Sequence, residues 1–114
     1  MQKLKSRYKC EINKQELTLK KLKESHLLLL GGPRLPFNAQ ELQDIRRFVE
    51  EGGRCMIMMA EGGENKLNTN INAMLEQIGI FVNSDTVIRK TFHKYLHPKE
   101  AFVGNGCLSE ELVK

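Results

Sequence analysis

Apolar residues along this chain fall into two patterns: short unbroken runs, and stripes spaced three or four apart. The runs are HLLLLGG at 26–32 and RCMIMMA at 54–60. Each has the length of a strand, and an unbroken run predicts a strand buried on both faces of a parallel sheet. Gly31, Gly32 and Pro33 end the first run. Between the runs, Leu42, Ile45, Phe48 and Val49 make one helical stripe. Asn38 and Glu41 are spaced as a capping box at its start, with Phe37 placed to staple the entry. Gly52 and Gly53 stop it as a C-terminal cap would. A second stripe places Ile71, Met74, Leu75 and Ile78 toward a core, with Thr69 or Asn70 as its cap and Gly79 at its end. Leu19 and Leu22 predict a short helix. Tyr8–Ile12 is ambiguous, a short charged strand being one reading. IFV at 80–82 and TVI at 86–88 read as short strands around an Asn-Ser-Asp turn.

The order is helix, strand, helix, strand, helix, strand. Two apolar strands joined by an amphipathic helix predict a right-handed crossover with parallel strands. The fold class is therefore α/β: a layered sheet with mainly parallel strands and flanking helices. Ligands of such folds bind beyond the C-terminal ends of the strands. Two glycine-rich loops, GGPRLPF and EGGENKLNTN, leave from that edge, so they are expected side by side.

Composition narrows the class. The chain has 114 residues, the size of one small domain, with 40% apolar residues to supply a core. No window approaches eighteen apolar residues, which argues against a membrane-spanning helix. No apolar segment follows the charged start, so no secretory signal is expected. Cys10, Cys55 and Cys107 are widely separated and form no C-x-x-C pair, which disfavours zinc and a disulfide framework and suits a reducing compartment. The net charge is +4, with eight lysines and arginines between Lys3 and Lys23. Interspersed Glu11, Glu16 and Glu24 make a solvated face the preferred reading. Few aromatics stand among them to stack on bases, so nucleic acid is not an expected partner.

Several residues carry candidate chemistry. A nucleophile elbow needs Ser or Cys at a sharp strand-to-helix turn, and the turn here reads Ala60-Glu61-Gly62-Gly63-Glu64. Glu61 and Glu64 could pair as carboxylates, but no acid-base partner is evident. EGGENK is neither a P-loop nor a dinucleotide fingerprint, and its two glutamates would repel a phosphate. A neutral or cationic partner, or a sugar held by Asn65, Asn68, Asn70 and Asn72, suits it better. Local capping by these asparagines is preferred over ligand contact. His93 and His97 are spaced for one helical face, but Lys94 departs from the zincin pattern and Pro98 disfavours helix at His97. Structural or surface histidines are expected there, and no metal or cofactor. Arg34 stands at the strand edge, where it could meet a partner carboxylate. An internal pair with Glu61 or Glu64 is preferred.

Five stretches carry a resemblance: Gly32–Arg34, Phe37–Glu41, Ala60–Glu64, Thr69–Asn72 and Tyr95–Ala101. Residue types and spacing together resemble the N-terminal GIFT domain of the intraflagellar transport protein 52 family. The match runs from Leu27 to Lys114 and is loose over residues 1–26. Ala60 stands where the family usually has glycine. The resemblance implies a single GIFT-type α/β domain, of which residues 1–114 are the N-terminal part, similar to class I glutamine amidotransferase-like folds and truncated. It implies a non-catalytic scaffold module of an IFT-B core subunit, acting in ciliary assembly and cargo transport. The implied partners are other IFT-B subunits, at the cilium or flagellum, the ciliary base and the cytoplasm. A carbohydrate- or small-ligand-binding module is the alternative. The candidate contact residues are Arg34, Glu61, Gly62, Gly63, Glu64, Asn68, Asn70, Asn72 and His97.

Overall fold

The computed structural model describes residues 5–91 and 97–100. The chain divides into two compact units, 1–84 and 85–114.

The first unit holds helix α1 (Leu19–Leu22), strand β1 (Leu27–Gly31), helix α2 (Ala39–Glu50), strand β2 (Arg54–Met58), helix α3 (Gly63–Leu67) and helix α4 (Asn72–Leu75), which runs into a 3-10 turn at Glu76–Ile78. β1 and β2 pair in parallel, Leu27 beside Arg54 through to Gly31 beside Met58. The α/β class and the parallel crossover are therefore present, built around a two-stranded sheet.

α2 forms where its local signals agree. The Asn38 side chain accepts from the Glu41 N–H at 2.7 Å, and Glu41 Oε2 accepts from the Asn38 N–H at 3.0 Å. Two donors of the first turn are thereby satisfied. The inward stripe buries Ile45 and Phe48, with Leu42 and Phe37 packed at its edge. These side chains meet Leu22, Ile71, Met74 and Leu75 in one core beneath the sheet, with Leu28, Leu30, Cys55 and Ile57 packed against it. Burial pushes the Cys55 thiol above its ordinary pKa.

Acidic side chains of α2 also tie down the segment that precedes β1. Glu41 Oε1 accepts from the Leu17 N–H and Asp44 Oδ2 from the Leu19 N–H, both at 2.9 Å.

Several expectations are corrected. Among the described residues the strands are covered on one face only. Leu28, Leu30, Cys55 and Ile57 turn to the core, whereas Leu27, Leu29, Met56 and Met58 remain 40–50% exposed. A continuous apolar run reports two apolar faces and not what covers them. Residues 80–82 are not a strand, because their backbone groups are taken: the Ile80 N–H bonds Leu75 O, and both Val82 groups bond the Asn72 side chain. Residues 86–88 and Tyr8–Ile12 form no strand either. Neither Thr69 nor Asn70 caps α4; both reach across to the loop after β1. Val49 and Ile78 lie at the margins of their stripes, 38% and 49% exposed.

In the second unit, Arg89 organises the described residues. Its N–H donates to Pro98 O at 2.9 Å, and its guanidinium donates to the carbonyls of Thr91 and Glu100.

Candidate functional site

The two glycine-rich loops do leave side by side from the C-terminal edge of the sheet. Parallel pairing brings their starting points together, and the Gly32 N–H bonds Met58 O at 2.9 Å. From there the loop after β2 fastens itself to the loop after β1. Asn70 Oδ1 accepts the Phe37 N–H at 2.7 Å and Asn70 Nδ2 donates to Phe37 O at 2.8 Å. Its amide thus mimics a strand partner for one residue. Thr69 Oγ1 donates to Leu35 O at 3.3 Å.

Asn72 makes the same two-bond clamp on Val82, with Oδ1 accepting the N–H at 2.9 Å and Nδ2 donating to the carbonyl at 3.0 Å. The residue is 5% exposed, so both ends of its amide need partners, and Val82 supplies them. Glu64 Oε1 accepts the Asn72 N–H at 2.5 Å. That carboxylate satisfies a backbone donor at the start of α4, where the helix has no side-chain cap of its own.

Glycines shape the turn between β2 and α3. Gly62 and Gly63 have φ of +81° and +51°, the left-handed region. Gly63 is also buried against residue 83: a Cβ there would stand 2.5 Å from Asn83 O. Asn68 closes α3 at φ +52°, a conformation its side chain type tolerates. Glu61 is exposed and receives Lys66 Nζ at 2.9 Å.

The nine candidate residues therefore divide. Asn70 and Asn72 spend their amides on the backbone, Glu64 caps a helix, and Gly62 and Gly63 form the turn. Arg34, Glu61 and Asn68 face outward on the same pair of loops. The expected internal pair of Arg34 with Glu61 or Glu64 is not formed: Glu61 takes Lys66 and Glu64 takes Asn72, and Arg34 makes no ion pair among the described residues. His97 belongs to the second unit, where it is exposed and its Nδ1 accepts the Lys99 N–H at 3.2 Å. His93 lies outside the described residues. Sequence reasoning passed over Glu41 and Asp44 as long-range anchors. Their partners stand 24 and 25 residues away, and only the capping-box role of Glu41 has a local signature.

Comparison with known proteins agrees with this geometry. A human protein, intraflagellar transport protein 52 homolog, is 43% identical over 98% of this chain, and its mouse counterpart is 41% identical over 97%. The likeness thus extends through residues 1–26, where motifs alone showed only a loose match. The chain spans about a quarter, 26%, of the length of both relatives. The solved mmIFT52 N-terminal domain superposes with a TM-score of 0.75 at 41% identity, covering 87% of this chain and 43% of that one. The model of the IFT52 GIFT domain matches residues 1–114 throughout, and the chain belongs to that family.

Proposed function

We propose that this chain is a non-catalytic, protein-docking part of a single GIFT domain in an intraflagellar transport subunit. On this reading its partners are other subunits of the IFT-B particle, and it acts at the cilium or flagellum, the ciliary base and the cytoplasm. The relatives' names support the process. The observation that carries the mode of action is the inward use of the loop's polar groups. Asn70, Thr69, Asn72 and Glu64 all bond backbone, which leaves an outward surface that includes Arg34, Glu61 and Asn68. A preorganised loop surface loses little entropy when a partner binds. A sugar-binding reading has less support, since the amides it would use at Asn70 and Asn72 are already occupied.

The test is affinity capture from a ciliated-cell extract with this chain as bait, beside the double variant Arg34→Ala, Glu61→Ala. Captured proteins are identified by mass spectrometry, and circular dichroism verifies the fold of both baits. The expected result is transport-particle subunits with the parent and a clear loss with the variant. Equal capture by both baits would remove these loops from the interface. Glu64→Ala is unsuitable here, because it would free the Asn72 N–H and disturb the loop itself.

A further inference from the structure

The opposite edge of the sheet, where the strands begin, holds a cleft of about 490 Å³ lined by Lys23, Ser25, His26, Glu51 and Arg54 over the ring of Phe48. The chain builds it deliberately from its turn. Gly53 has no side chain, and a Cβ there would lie 2.4 Å from the Phe48 ring, so glycine alone lets the ring form the floor. The Arg54 N–H bonds His26 O at 3.3 Å and sets the two residues beside each other.

The cleft carries more donors than acceptors. Its one carboxylate, Glu51, is saturated: Lys23 Nζ meets Oε2 at 2.5 Å and Arg47 Nε meets Oε1 at 3.0 Å. These contacts, the Lys23 bond foremost, hold its pKa below the ordinary value. Glu50, next to it in sequence, is paired with Arg46 at 2.7 Å. The Ser25 hydroxyl, the His26 ring and the Arg54 guanidinium have no side-chain partner among the described residues. Of the lining side chains, Lys23 and Arg54 outweigh Glu51 by one positive charge, and Arg47, bonded to Glu51 from outside the lining, adds a second. A phosphate monoester carries about −1.5 to −2 at neutral pH, which matches that surplus where a single carboxylate would not. The planar fork of Arg54 suits two phosphate oxygens, and the volume lies in the range of ligand sites.

We propose that this cleft binds a phosphate monoester, with Arg54 as the principal ligand and Ser25, His26 and Lys23 completing the shell. The group is supplied either by a small phosphorylated molecule or by a phosphorylated side chain of a partner. The site lies at the other end of the strands from the glycine-rich loops and is independent of their role.

Amide NMR of the full chain tests it, with inorganic phosphate, a phosphoserine peptide and the same peptide unphosphorylated as probes. Saturable shifts at Ser25, His26 and Arg54 with the phosphorylated probes alone are expected. Arg54→Gln, at an exposed position, should weaken them about tenfold, while Arg7→Gln, a control for non-specific charge, should not. A phosphopeptide that binds more tightly than inorganic phosphate assigns the group to a partner protein; equal affinity assigns it to a small molecule. No shift at these amides, or equal weakening by Arg7→Gln and Arg54→Gln, overturns the proposal.

Discussion

Asn72 shows how much one side chain can hold. It is the buried polar residue that opens α4, and its amide supplies both backbone groups of Val82 with partners. Asn72→Ala strips those bonds and leaves a partly buried donor and acceptor of Val82 unpaired. It is expected to cost about 2–4 kcal/mol in chemical denaturation. Glu51 titrates at the surface in the opposite sense to a buried acid. Its folded pKa lies below the ordinary 4.5 through Lys23 and Arg47. Its contribution is therefore complete above pH 4.5 and is lost as pH falls through the lower folded value. Glu51→Gln should flatten the acid limb of a stability–pH profile and leave its neutral limb shape unchanged. The capping box at Asn38 and Glu41 was legible in sequence because its partners stand three residues apart. The clamps were not, because Asn70 and Phe37 lie 33 residues apart and Asn72 and Val82 lie 10 apart. Asparagine in a loop has the same local signature whether it meets a ligand, a turn or a distant backbone.

At the scale of elements, the apolar runs announced β1 and β2, and the stripe at Leu42, Ile45 and Phe48 announced α2. What the runs could not tell is which face is covered, since that depends on packing partners far along the chain. Alternation gives a direct check. Leu28 packs against the core, whereas Leu29 is 40% exposed. Leu28→Thr should lower stability by about 1–3 kcal/mol, while Leu29→Thr should stay within about 0.5 kcal/mol. Equal effects in thermal melts would show that both faces are covered in solution. The segment at 80–82 has β-forming residues, yet it follows Gly79 in the left-handed conformation, and helix closure and Asn72 claim its backbone. Propensity there loses to hydrogen bonds already made.

On the scale of the molecule, the family and the α/β class were readable because motif spacing survives without coordinates. The division into two compact units and the cleft at the start of the strands were not, because both arise from tertiary arrangement. The half-covered sheet has a chemical consequence as well. Met56 and Met58 stand 50% and 43% exposed on its open face, while Met74 is 4% exposed in the core. Thioethers open to solvent are the ones that peroxide reaches, and each sulfoxide puts a polar, chiral group where a flexible apolar one stood. Brief peroxide treatment followed by peptide mass spectrometry should find Met56 and Met58 oxidised well before Met74. The face that gives β1 and β2 their apolar character is thus also a surface whose polarity an oxidant can change and a sulfoxide reductase restore.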